Sequence, residues 1–155
     1  MRFCNLLWIG ATLLVAAGAP AGSAMAQDDS LYERLGGENF VECWIDKSLA
    51  VISKDKRIDD FFAGELQTPN LRESLIAFAC EATGGGCVYE GLAMDCAHAG
   101  LGIGQDDFSA FVEDLERGAR RCHKNEPAYS ELAKVLRSLR PVIVQDDPGE
   151  TPVCS

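Results

Sequence analysis

The sequence predicts an all-α protein, and three observations carry that prediction. Apolar residues recur at steps of three and four, capping residues stand where those runs begin, and glycine or proline stands where they end. No stretch alternates apolar and polar residues as a half-buried strand does.

Taken in order, residues 1–26 read as a secretory signal peptide. Arg2 supplies a basic start, Leu6 to Gly18 an apolar run, and Ala24-Met25-Ala26 the small-x-small pattern of a cleavage site. The run is too short for an easy membrane span, and no later segment is apolar enough for one. The expected product is an exported chain, periplasmic or secreted, starting at Gln27. Its folded domain is residues 27–144, and a short tail, residues 145–155, carries prolines and acids.

Within the domain Ser30 can cap a turn over Leu31–Leu35, with Glu33 at the capping-box position and Gly36-Gly37 as the stop. A second helix is predicted from about Glu38 to Ser53, because Phe40, Val41, Trp44, Ile45, Leu49 and Ile52 share one face. A polar run leads to Phe61-Phe62. Thr68-Pro69 then starts a long helix, Thr68 as cap and Pro69 at the first position. Leu71, Leu75, Phe78 and Ala82 line its face until Gly84-Gly85-Gly86 ends it. The remaining helices are predicted over about Leu92 to Ala99, Gln105 to Cys122 and Glu126 to Val144. Short connections place successive helices side by side.

The formal charge of −10 gives a surface that repels nucleic acid and anionic lipid. Cys4 lies in the leader, which leaves an even set: Cys43, Cys80, Cys87, Cys96, Cys122 and Cys154. In an exported chain that argues for disulfides. Cys80 and Cys87 flank the glycine turn and can close a small loop; Cys43 can meet Cys122 where the second helix crosses the fifth; Cys154 can tie back the tail. Sequence alone does not choose among the pairings. The absence of C-x-x-C excludes a thioredoxin-like pair and zinc-ribbon spacing.

Several phrases, in this order, resemble the group I truncated haemoglobins. They are Ser30-Leu31-Tyr32-Glu33-Arg34-Leu35-Gly36-Gly37-Glu38, Phe61-Phe62, Thr83-Gly84-Gly85, Tyr89-Glu90-Gly91, Met94, Ala97-His98-Ala99-Gly100-Leu101-Gly102-Ile103 and Asp107-Phe108. The likeness spans nearly all of Ser30 to Val144. It implies a shortened globin, two helices packed over two, holding haem b through one histidine. The position matching that ligand is His98. Phe62 matches the aromatic residue on the haem face, Gly84-Gly85 the glycine pair, and Tyr89 and Met94 residues near the haem edge. There is no C-x-x-C-H, so attachment as in c-type cytochromes is excluded.

The residues themselves narrow the ligand. The chain has two histidines; His123 sits in the charged stretch Arg120-Arg121-Cys122-His123-Lys124, as solvated helix ends do, and His98 sits among Met94, Leu101 and Ile103. Without the resemblance, His98 reads as an ordinary core histidine; with it, as an iron ligand. A ligating histidine donates its other ring N–H to a carbonyl or carboxylate. A backbone carbonyl near Met94 is the expected partner and Asp95 the weaker one. Cys96, two residues before His98, would fix the ligand's segment if bridged.

On the far side the resemblance implies a departure from relatives. Where many carry a donor tyrosine this chain has Leu49, preceded by Ser48, and where many carry glutamine it has Leu75, with Leu71 one turn earlier. Leu49, Leu71 and Leu75 would make an apolar pocket, softened only by Ser48 or a trapped water. Ordinary core packing would look the same. Arg72 either reaches a haem propionate or is solvated. The expected function is binding of a diatomic gas (oxygen, nitric oxide or carbon monoxide). Two alternatives stay open. A nitric-oxide-detoxifying or redox enzyme would need a polar far side or a redox partner the sequence does not show. A haem-free, disulfide-stapled globin-like module would need neither.

Overall fold

The computed structural model describes residues 29–64, 66, 69–122, 126–145 and 154. The leader, Thr68 and His123, on which sequence expectations fall, lie outside them.

Ser30 starts α1 (Leu31–Leu35) as expected: its side chain accepts the Glu33 N–H and Glu33 accepts the Ser30 N–H. Gly36, at φ 117°, ends it, and α2 (Gly37–Ile52) follows at once. A 3₁₀ turn over Asp59–Phe62 presents the two phenylalanines, and α3 runs Pro69–Ala82. α4 is Met94–Ala97, α5 Gln105–Ala119, α6 Glu126–Ser138 and α7 Arg140–Ile143. No residue among those described is in a strand.

Two expectations about length are corrected. The helix predicted over Leu92 to Ala99 is only the four residues of α4, because the chain before Met94 is irregular and Gly100, at φ +75°, turns away just after it. The single helix predicted over Glu126 to Val144 breaks at Leu139. Pro141 is the cause: it has no N–H to donate, and its ring clashes with the carbonyl four residues back.

The four long helices pair as α2 with α3 and α5 with α6, one pair over the other. The most extensive packing is α2 against α5. Its core is the predicted face of α2, where Phe40, Val41, Trp44 and Ile45 are buried against Phe108, Val112 and Leu115, while Ile52 is buried in a second cluster with Ile58 and Ala110. A side chain of this size contributes about 1.5–3 kcal/mol when fully buried. The Trp44 indole N–H donates to the Leu115 carbonyl at 2.9 Å, so its one polar atom is satisfied.

The crossing is tight because Gly118 on α5 has no side chain. A Cβ there would lie 2.1 Å from Ser48 Oγ and 2.8 Å from Ser48 N. Ser48 therefore belongs to this crossing and does not line the cavity described below, which corrects its expected role as a polar neighbour of the far pocket. Gly118→Ala is expected to cost about 1–3 kcal/mol, since backbone and not just a flexible tip must yield. Urea unfolding checks this, and an unchanged midpoint would refute the crossing.

Asp114, one turn earlier, is fully buried. One oxygen accepts from Arg117 at 2.7 Å; the other has no hydrogen-bond partner within reach among the described residues, and burial, with Asp55 nearby, pushes its carboxyl above the usual range.

Three disulfides fasten the helices. Cys43–Cys122 and Cys80–Cys87 form as the sequence allowed, and Cys96 pairs with Cys154, which the sequence had left without a partner.

Candidate functional site

A cavity of about 370 Å³ opens between α3, the 3₁₀ turn, the segment around α4 and the start of α5. That volume lies within the range of small-ligand pockets. The 3₁₀ turn brings Ile58, Phe61 and Phe62; α3 brings Asn70, Leu71, Ser74, Leu75 and Phe78. Tyr89, Met94, Ala97, His98, Leu101 and Ile103 come from the segment beyond the glycine turn. Asp107, Phe108 and Phe111 come from α5, and Ile143 from α7.

The glycine turn puts the far segment where it is. Gly84 has φ +82°, and a Cβ on Gly85 would stand 2.6 Å from Cys80 Sγ and 2.7 Å from the Tyr32 ring. Only a bare backbone passes there, and the passage is fixed by the Tyr32 N–H donating to Thr83 O at 2.8 Å and by the Cys80–Cys87 bond. The chain then runs without regular structure to Met94.

His98 caps α4 and is half-buried. Its Nδ1 lies 2.6 Å from the Met94 carbonyl oxygen. A carbonyl only accepts, so Nδ1 carries the proton and Nε2 keeps the lone pair that binds a metal. The expected partner is thus the one found; Asp95 instead accepts the Cys96 N–H. Gln145 buttresses the turn from behind. Its Nε2 donates to His98 O at 2.9 Å, its Oε1 accepts the Gly102 N–H at 3.0 Å, and its own N–H donates to Ile103 O at 3.0 Å.

The remaining walls are mostly hydrocarbon. Phe62 stacks on Phe111 with centroids 5.8 Å apart, and Tyr89 meets Phe78 edge-on at 5.4 Å. Asp107 is committed locally, accepting the Gly104 N–H at 3.0 Å. Asn70 and Ser74 are exposed at the α3 edge.

Phe62, Leu71, Leu75, Tyr89, Met94 and His98, which the sequence singled out, thus share one cavity. Leu49 and Arg72 do not line it. Leu49 packs half-buried against the main core, and Arg72 forms a two-pronged ion pair with Asp46, at 2.6 Å and 3.1 Å. The guanidinium holds the Asp46 carboxyl below its ordinary range. This pairing favours the reading of Arg72 as a surface residue over that of a propionate clamp. Phe111 and Ile143 went unnoticed in the sequence, although Phe111 follows Phe108 at a helical step. Gln145 gave no signal: its role depends on where α7 ends.

The donor set suits haem. One imidazole with its tautomer fixed stands in a cavity otherwise walled by aromatic and aliphatic side chains, as an iron porphyrin requires.

Residues 30–145 match the bacterial-like globin family. A group 1 truncated hemoglobin of Synechocystis sp. is 34% identical over 110 residues, covering 68% of this chain and 88% of that protein. One from Tetrahymena pyriformis is 26% identical over 116 residues, 75% of this chain and 95% of the relative. The crystal structure of the Tetrahymena protein in its Fe(III) form superposes with a TM-score of 0.71 at 25% identity, over 75% of this chain and 98% of that one. With its all-helical two-over-two fold and this cavity, the chain belongs to the bacterial-like globins, and within them to the group 1 truncated haemoglobins.

Proposed function

We propose that His98 would ligate the iron of haem b in this cavity, and that the apolar wall makes the protein a fast-releasing gas binder rather than an enzyme. Family membership makes the chain a haem-binding globin whose ligand is a diatomic gas. The observation that carries the finer reading is the 2.6 Å contact from His98 Nδ1 to Met94 O, which orients the ring and leaves Nε2 as donor. When bound, haem supplies an iron with one coordination position for the gas.

Leu71, Leu75 and Phe78 along α3 offer no proton, and the polar α3 residues of the cavity, Asn70 and Ser74, sit exposed at its edge. Peroxidase chemistry wants a polar group there that can move protons, so the wall speaks against it. Export fits the same reading, since three disulfides persist in an oxidising compartment.

Haemin titration of the purified protein tests the proposal. One equivalent should give a Soret band, and a protein that refuses haemin refutes it. The wall has its own test. Oxygen draws electron density when it binds and is retained by a hydrogen-bond donor, which is worth about 1–3 kcal/mol in a dry site. At about 1.4 kcal/mol per factor of ten, Leu75→Gln should slow oxygen dissociation by roughly ten- to a hundredfold and change carbon monoxide dissociation less. Stopped-flow displacement reads both rates. A wild type that already releases oxygen as slowly as the variant would refute the apolar-wall account.

A further inference from the structure

The segment that carries Met94 and His98 has little structure of its own. It is irregular from Cys87 to Ala93, α4 is a single turn of four residues, and Gly100 and Gly102 follow at positive φ. Its start is fixed by the Cys80–Cys87 bond, and two further fasteners, nearer His98, come from the chain beyond α7. One is the Gln145 side chain, bridging His98 O and Gly102 N. The other is the Cys96–Cys154 disulfide, anchored two residues before His98 and joining positions 58 residues apart.

The three disulfides differ in access. Cys154 is exposed at the penultimate position, and its partner Cys96 is half-buried. Cys43 and Cys122 are both half-buried beside the tight α2–α5 crossing. Cys87 is exposed, but Cys80 is 2% exposed, with its sulfur packed against Gly85. Attack on Cys87 would expel Cys80 as a thiolate in apolar surroundings, a poor leaving group. Attack on Cys154 expels Cys96, the less enclosed of the two.

We propose that Cys96–Cys154 is a thiol-exchange site for a dithiol reductant, and that its cleavage loosens the segment bearing His98 and so speeds haem release. A reductant thiolate bonds to Cys154 Sγ, the Cys96–Cys154 bond breaks, and Cys96 leaves as a thiolate that takes up a proton. The second reductant thiol closes on the mixed disulfide and frees Cys154 as a thiol. The protein gains two electrons and two protons, and the dithiol becomes a disulfide. The proposal rests on His98 as haem ligand. Freeing its segment lets the turn that holds His98 against Met94 O and Gln145 move, and the effect is bounded by the lower figure for loss of an outer partner, about tenfold.

The test loads the full oxidised chain with haemin and follows transfer to an excess of a haem-scavenging apoglobin by the Soret band. The Cys96→Ser, Cys154→Ser double variant should lose haemin about tenfold faster than the oxidised wild type. Should that variant not fold, brief treatment of the loaded wild type with dithiothreitol gives the same comparison. Thiol labelling and mass spectrometry should then show Cys96 and Cys154 modified first, and reoxidation should restore the slow rate. Unchanged transfer rates, or first labelling at another pair, overturn the proposal and leave the haem reading intact. A wild type that takes up no haemin overturns both.

Discussion

Replacing His98 by glycine should weaken haemin binding by at least about a hundredfold, and added imidazole should restore it. Loss of an outer partner of a metal-bound histidine costs about 10–100-fold, so loss of the ligand itself costs at least the upper figure. The site should survive the change. His98 occupies the cap of α4 at φ −109°, outside the helix interior, where glycine does not carry its helix penalty. Its backbone stays held by the Gln145 side chain and by the N–H bond to Met94 O. The vacated space then sits beside Met94 O, which can take the N–H of a free imidazole as it takes that of Nδ1. Haemin titrations with and without imidazole read the result. Wild-type affinity in the variant would refute ligation; lost affinity without rescue, together with a lowered unfolding midpoint, would reduce His98 to a packing residue.

Removing the Cys43–Cys122 bridge should have the largest effect on stability. It joins α2 to the residues just after α5 across 79 positions, and constraining a loop of that size in the unfolded chain is worth about 4.5 kcal/mol. Such domains have a total stability of about 5–15 kcal/mol, so the Cys43→Ala, Cys122→Ala variant should lose a large share of it and unfold at a clearly lower urea concentration. The Cys80–Cys87 bridge spans 7 positions and by the same reasoning contributes about 2 kcal/mol. Urea unfolding of the two double variants should therefore rank them in that order. The reverse order would mean that the glycine turn, not the helix crossing, limits the fold.

Much of the fold was legible because local rules and the tertiary structure agree. The Ser30 capping box, the stop at Gly36 and the buried face of α2 are all local chemistry, and each stands where the pattern put it. The two misjudged helices have identifiable causes. Pro141 was a visible break that the apolar period of α6 obscured, and α4 is short because the glycines on its far side allow the chain to turn. At the site, His98 and its Met94 partner were legible because a helical turn fixes which carbonyl lies four residues back. Ser48 and Leu49 were misplaced because helical phase says which residues share a face, not which neighbour that face meets. The α2–α5 crossing claims Ser48, and the main core claims Leu49.

The sequence by itself determined a helical domain through periodicity and caps, and an ordered set of short motifs whose resemblance to truncated haemoglobins singles out one imidazole, since all of these are properties of neighbours along the chain. The tertiary structure alone decided that Arg72 is spent on Asp46, that Gln145 braces the histidine's turn, and that Cys154 is tied to Cys96. Those pairings join residues 26, 47 and 58 positions apart. No local period reaches so far; only the packing of whole helices sets which of many chemically suitable partners meet.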